Sequence, residues 1–455
     1  MNTKQILAVL AAATSAVLAA AVPQVSNVTM VQSSSSRLVT ITYDLSETAV
    51  VTLDVQTNAN TSAAADDPGW ISIGGAAISG TTTGRTAGGA KGDVWKKVTA
   101  GTSKSITWRP DLTWPDHQIA DGGARAVVTA WALDNTPDYM AVDISAGAAQ
   151  NTQAYYPAAD FVPGGVTNSL YKTTKLLMRK IMAKDVEWTM GSVAEIGRNK
   201  DREMTHPVTL TNNYYIGVYE ITQTQWEQVA GYNSSYFPTE RTMRAMEMVC
   251  YTDIRQGKGV TGNNGASATG GVYPNAPYGE SFLGLLRTRT GIDFDLPSEA
   301  QWEFAARAGN GEGYWGDGSA MSIVMSGSQA ATDAGLDLLS RYQYNGGKPD
   351  SSVKKDWGVT NATAIVGSYL PNAWGIYDMH GNVRELCLDL YSDNITALNG
   401  AVNTAATGST TNCVMRGGSW NDPAGICRSA YRESRPPVQR GYHIGLRVAC
   451  SAGLE

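Results

Sequence analysis

From Arg37 to Tyr43 the chain places Val39, Ile41 and Tyr43 on one side of an extended backbone and Thr40 and Thr42 on the other. A period of two predicts a half-buried strand. Ala49 to Val55 repeats the scheme. Short apolar runs follow at Trp70 to Ile73, Trp95 to Val98, Lys104 to Trp108 and Arg125 to Leu133, separated by Gly, Ser, Thr and Asp clusters. Several short strands with turn signals between them and no helical period predict an all-β domain over residues 22–145.

This spacing suits a β-sandwich of immunoglobulin or fibronectin type, used as a spacer or adhesion module. The region holds no cysteine, so the immunoglobulin disulfide is absent. The Gly/Thr/Ala tract from Gly74 to Gly92 reads as a mobile surface loop.

Beyond it the pattern changes. Residues 146–170 are rich in Ala, Gly, Pro and Asn and predict a linker, with a second domain over residues 171–455. Leu176 to Met190 supplies its first extended element. Pro207 to Glu220 predicts a hairpin turning at Asn212-Asn213. Thr222 opens a helix, because Gln225 three residues later completes a capping box ahead of Trp226 and Val229. Ser298 and Gln301 repeat the device before a buried stripe of Trp302, Ala305 and Ala306 that ends at Gly309. A third short helix is predicted over Glu280 to Thr288. Few helices, short strands and long aperiodic stretches make this an α+β domain.

The functional reading rests on Arg416 to Arg447. The stretch opens with Arg-Gly-Gly-Ser-Trp, whose paired glycines permit a tightly bent strand, and closes in the apolar strand signal that runs from Ile444 to Cys450. Between them no period survives, which reads as loop. A long irregular loop held between two strands is either functional or disordered. Tyr431, Tyr442, Arg428, Arg432, Arg435 and Arg440 favour function.

Composition narrows the partners. At 455 residues, 42% hydrophobic and 17% charged, the chain is a globular protein of two domains. A net charge of -6 gives no basic field for nucleic acid and no cationic helix for a membrane surface. Met1 to Ala21 reads as a secretory signal, with Lys4 before the apolar run Ile6 to Leu18 and Ala19-Ala20-Ala21 as the cleavage site. The run is too short and Ala-rich for a membrane anchor. The expected mature protein is exported to the periplasm, the cell surface or the medium, with no transmembrane segment. Cys250, Cys387, Cys413, Cys427 and Cys450 then sit where disulfides form, and the odd count leaves at least one thiol over.

Most common chemistries lack their residues. His117, His206, His380 and His443 are scattered without ligand spacing, which argues against zinc and nonheme iron. Ser419 has no identifiable His and Asp partners, and no phosphate-cradling glycine loop follows a strand. Trp188, Trp226, Trp302, Trp315, Trp374 and Trp420 are expected in the core and not as sugar platforms.

Five motifs occur in a telling order: Thr189 to Ser192, Tyr215 to Thr222, Leu296 to Glu303, Asn372 to Val383 and Arg416 to Trp420. Together they resemble the sulfatase-modifying-factor family, whose best-known member is formylglycine-generating enzyme, over Leu176 to Cys450. The resemblance implies a C-type-lectin-like fold rich in irregular loops, with the N-terminal sandwich outside it. It implies copper-dependent oxidation of a sulfatase cysteine to formylglycine, carried by two cysteines five residues apart. Cys427 stands at the second of these positions and Asp422 at the first. Two thiolates make a soft, linear Cu(I) site, and a carboxylate is a hard ligand for that ion, so copper is not expected. Cys427 beside Arg428 reads either as a thiol of lowered pKa or as half of a disulfide.

The resemblance also implies structural calcium, held by the side chains of Asp378 and Glu385 and the carbonyls of Gly381 and Val383. A further site would begin near Asn345. Oxygen ligands on a tight turn suit this hard cation. Without the ion, the same carboxylates would cap turns or pair with Arg384.

The favoured reading is therefore an exported, non-catalytic binding protein that meets an extracellular protein or glycan through the loop Trp420 to His443. Its expected contact residues are Trp420, Asn421, Asp422, Tyr431, Arg435, Tyr442 and His443. The loop resembles the variable regions of diversity-generating retroelement proteins built on this fold. In these a fixed frame, here Arg416 to Trp420, Cys427 to Ala430, Arg432 and Ile444 to Arg447, alternates with exchangeable positions. Asn421, Asp422, Pro423, Gly425, Ile426, Tyr431, Ser434, Arg435, Val438, Gly441, Tyr442 and His443 are all reachable from an Asn codon by changes at its two adenines, whereas Glu433 and Gln439 are not. The alternative is a sulfatase-modifying-factor-type oxidase with Cys427 as its remaining thiol. A structural surface component is the third reading.

Overall fold

The computed structural model describes residues 22–80, 88–237, 242–257, 273–345, 362–402 and 412–454, and is mostly β-sheet. The expected signal segment, Met1 to Ala21, lies outside the described residues.

Two four-stranded sheets build the N-terminal part. One runs in the order Val25–Gln32, Val39–Leu45, Gly101–Trp108 and Lys91–Gly92. The other is centred on Ala49–Thr57, which pairs with Ile71–Ser72, Lys96–Val98 and Ala124–Trp131. The alternation read from sequence is the burial pattern observed in Val39–Leu45, whereas Ala49 to Leu53 is buried at every position. Val39, Ile41 and Tyr43 share one core with Val51, Leu53, Val55, Ile106 and Trp108. The two described ends of the glycine-rich tract are regular structure and not loop: Gly75–Ser79 is a short helix that seats Ile78 in this core, and Lys91–Gly92 pairs with the first sheet. Residues 81–87 lie outside the described residues.

A five-stranded antiparallel sheet forms the spine of the second part, in the order Ala154–Tyr156, Tyr139–Asp143, Lys175–Ile181, Tyr214–Gly217 and Ala449–Ser451. This corrects the linker at residues 146–170 and the boundary at 145. Met140 and Val142 face one core and Tyr139 and Ala141 another, so the strand Tyr139–Asp143 is buried on both sides. Tyr155 and Tyr156 bring the supposed linker into the same two cores. The hairpin at Pro207 to Glu220 is also corrected. His206–Thr209 pairs with Glu187–Met190, while Tyr214–Gly217 joins the central sheet. The side-chain oxygen of Asn213 accepts the N–H groups of Ala183 and Lys184, each at 3.0 Å, which directs the chain to a different neighbour.

Both capping boxes form. Thr222 caps Gln223–Ala230 and Ser298 caps Glu299–Arg307, and Trp226 and Trp302 are fully buried beneath them. The third helix is Phe282–Thr290, capped by Ser281. No described helix is long and apolar enough to cross a membrane. A second sheet, ordered Glu433–Arg435, Cys413–Arg416, Arg384–Leu390 and Ile444–Gly445, frames the C-terminal loop.

Candidate functional site

The loop leaves this sheet after Arg416 and returns to it at Glu433–Arg435 and again at Ile444–Gly445. Between Trp420 and Arg432 its regular structure is one short 3-10 turn, Ala424–Ile426. Backbone groups buried in such a segment need partners from elsewhere. Two buried arginines, Arg416 and Arg428, supply them, and two more, Arg432 and Arg447, tie the segment to backbone elsewhere. Arg416 pairs with Glu303 and donates to the carbonyls of Ser429, Ala430 and Tyr431 at 2.9, 3.1 and 2.8 Å. Arg428 pairs with Glu195 and Glu203 at 2.7 and 2.8 Å and donates to the Gly425 carbonyl. Arg432 pairs with Glu299 at 2.5 Å and donates to the carbonyls of Ser392 and Arg202. Arg447 pairs with Glu385 at 2.8 Å and donates to Gly217 and Tyr377. The planar guanidinium serves a carboxylate and several carbonyls at once, which a lysine could not do. Arg428 and Arg432 are thus internal anchors, not the contact groups that the loop composition suggested.

Two expected contact residues are likewise internal. Trp420 is fully buried, stacks its edge against Phe237 and donates its indole N–H to the Tyr442 carbonyl at 3.0 Å. Asp422 is buried in a bidentate pair with Arg384 at 2.6 and 2.9 Å and accepts the Ser419 hydroxyl at 2.6 Å. The sharp bend at Gly417 and Gly418, with φ of 88° and 67°, makes this burial possible. A Cβ on Gly418 would stand 2.8 Å from Cys427 Sγ.

The remaining expected contacts reach the surface. Asn421, Tyr431, Arg435 and His443 are half-buried, and Tyr442 is 38% exposed. Tyr236, 48% exposed, lies 6.1 Å from Tyr442 and extends the surface; nothing in its spacing marks it in the sequence. Glu433 links Arg384, at 2.5 Å, to Arg435, at 3.6 Å. Burial works against the charge on Arg384, but Asp422 and Glu433 outweigh it and hold the guanidinium protonated. Burial, and then the positive charge of Arg384, push the His443 imidazole down to about 4, so it is neutral near pH 7. The surface is therefore polar and aromatic, with its charges already paired.

The thiol chemistry expected of Cys427 has little to work with. All five cysteines are buried free thiols, so Cys427 is not half of a disulfide. Burial first, and the Asp422 charge second, push its thiol well up, the reverse of an activated thiolate. Arg428, its sequence neighbour, is turned toward Glu195 and Glu203.

The two carboxylates expected to hold calcium already carry protein partners. Both oxygens of Glu385 receive Arg447, and Oε2 also accepts the Trp302 indole N–H at 2.8 Å. Asn345 accepts the Tyr342 N–H and donates to the Ser340 carbonyl. Val383 donates its N–H to Glu220, and Gly381 packs its backbone on Arg341. Asp378 accepts the Gly367 N–H through Oδ2, while Oδ1 is buried without a hydrogen bond, and burial pushes this carboxyl up to about 6. Glu385 is thus already engaged by the Arg447 guanidinium. Among the described residues no group of three or more His, Cys, Asp or Glu is disposed to hold a metal.

Known proteins place this arrangement. The chain is similar to the chaperone protein LppX of Paenibacillus barcinonensis, 28% identical over 54% of this chain and 82% of that protein. It is similar to the formylglycine-generating enzyme of Streptomyces coelicolor, 34% identical over 35% of this chain and 47% of the enzyme, so the match takes in less than half of that relative. Among solved structures it is similar to Treponema denticola variable protein 1, at 22% identity and a TM-score of 0.43, over 61% of this chain and 96% of that one. Residues 177–452 match the sulfatase-modifying factor enzyme 1-like domain, and the chain belongs to that family.

Proposed function

We propose that this chain is an exported binding protein whose loop Trp420 to His443 meets an extracellular protein or glycan, with surface positions exchangeable in the manner of a retroelement-diversified region. One observation carries the reading. All fourteen frame positions, Arg416 to Trp420, Cys427 to Ala430, Arg432 and Ile444 to Arg447, are buried. Of the twelve exchangeable positions, nine are partly or fully exposed, the exceptions being Asp422, Gly425 and Gly441. Residues replaced at such surface positions leave the buried ion pairs intact, and surface substitutions of this kind change stability by roughly 0.5 kcal/mol. The division lets contact chemistry vary while the fold persists. Tyr442 and Tyr236 supply rigid aromatic area and Asn421 and Arg435 adaptable polar groups, the mixture that recognition loops use. The two N-terminal sheets act as an immunoglobulin- or fibronectin-like spacer.

The test is a display library randomised at the nine exposed positions beside one randomised at nine frame positions. The first is expected to stay folded and to yield binders, the second to lose the fold. Equal loss of folding in both libraries refutes the reading. The retroelement part requires a nearby template repeat of residues 416–447 with adenines at the exchangeable codons and a reverse transcriptase gene beside it; absence of both removes it.

A further inference from the structure

Of the six tryptophans expected in the core, Trp226, Trp302, Trp315 and Trp420 are fully buried. Trp188 and Trp374 are only half-buried, and they flank the same residue, Phe304, with ring centroids 5.3 and 5.2 Å from it. Trp188 and Phe304 wall a cavity of about 300 Å³, and Trp374 stands at its rim, 3.8 Å from where a Cβ on Gly309 would lie. That size is at the lower end for small-ligand sites, which run from about 300 to 1,000 Å³.

The rest of the lining includes the polar residues Thr189, Thr205, Asn310 and Glu312. Glu312 Oε1 accepts the Ser192 hydroxyl at 2.6 Å and the N–H groups of Val193, Ala194 and Glu195, which fixes the carboxylate while Oε2 accepts none of these donors. Arg307 also lines the cavity and pairs with Glu303 at 2.8 Å. Glu303 is shared with Arg416, and the charge of Glu312 also acts on Arg307, so the cavity lining carries both signs of charge. Aromatic rings combined with a fixed acceptor, hydroxyl and amide groups suit a ligand with an apolar C–H face and a hydroxyl edge.

We propose that this cavity is a saccharide subsite that takes one neutral pyranose ring against Trp188, with its hydroxyls toward Glu312 and Asn310. None of these residues belongs to the loop Trp420 to His443, so the site stands or falls apart from the binding role of that loop.

The full chain is titrated with the methyl glycosides of glucose, galactose, mannose and N-acetylglucosamine while indole fluorescence is followed, with glucuronate and choline as comparators. A saturable change is expected with a neutral glycoside, weakened at least tenfold by Trp188→Ala and by Gly311→Trp. A Cβ on Gly311 meets nothing within 4 Å and its backbone is not left-handed, so the second variant blocks the cavity without strain and keeps the test decisive if the first does not fold. No saturation by any neutral glycoside, saturation unaffected by Gly311→Trp, or saturation by choline or glucuronate instead, overturns the proposal.

Discussion

Arg428→Ala tests the division between frame and surface most directly. The wild-type guanidinium has no exposed surface and neither do the carboxylates of Glu195 and Glu203 that it joins. Its removal leaves those two carboxylates facing each other in the interior and the Gly425 carbonyl without its donor at 2.8 Å. Breaking a buried pair by deleting one partner destabilises by about 3–5 kcal/mol, and a stranded carbonyl adds about 1 kcal/mol. At roughly 2–4 °C per kcal/mol for a domain of this size, the melting temperature should fall by about 8–24 °C. Tyr442→Ala removes a ring that is 38% exposed and holds no buried charge, and should change stability by about 1 kcal/mol or less. Calorimetric melts and urea titrations of the three proteins at pH 7 decide the matter. A shift of under about 2 °C for Arg428→Ala, or equal shifts for both variants, would refute the reasoning.

Other outcomes follow from single groups. Glu247 is buried, with Oε1 accepting the N–H groups of Tyr236 and Phe237 and Oε2 unbonded, and burial pushes its carboxyl from 4.5 up to about 7. A folded-state value above the unfolded one means that its contribution is complete below pH 4.5 and lost as pH rises to about 7. Urea melts of Glu247→Gln across that window should lack this loss, at most about 3 kcal/mol; an unchanged pH profile would exclude Glu247 as its source. Because Glu385 is engaged by Arg447, calcium and chelator should give the same melting temperature, and a calcium-dependent rise would show the guanidinium giving way. Cu(I) titration of the reduced chain should find no tight site, with Cys427→Ser behaving alike. Tight binding that the variant loses, with turnover of a Cys-x-Pro-x-Arg peptide, would establish the oxidase instead.

Features decided within a few residues were legible in the sequence. Thr222 with Gln225, and Ser298 with Gln301, announce their helices because the cap and its answer lie one turn apart. The alternation of Val39, Ile41 and Tyr43 is equally local. Features decided by distant partners were not. Arg428 meets Glu195 across 233 positions, and a charged residue in an aperiodic loop is ordinarily read as solvated. Asp422 looks like a free surface carboxylate until Arg384, 38 positions earlier, is brought beside it. The linker misled because Tyr139–Asp143 and Ala154–Tyr156 acquire their role only from Lys175–Ile181. Of the expected contact residues, Asn421, Tyr431, Arg435, Tyr442 and His443 keep some exposure, whereas Trp420 and Asp422 turn inward.

The strand Ala449–Ser451 closes the central sheet against Tyr214–Gly217, and the Thr136 hydroxyl donates to the Ala452 carbonyl across 316 positions. Translation therefore runs well ahead of folding. At about 5–20 residues per second a ribosome needs roughly 15–60 s to pass from one partner of that bond to the other. From its own synthesis until Ala449–Ser451 is made, Tyr214–Gly217 lacks this partner and presents an open edge, a template for pairing with any other extended chain. Protection of the nascent chain over those seconds, by a chaperone or by holding it unfolded, is built into the order in which its strands are made.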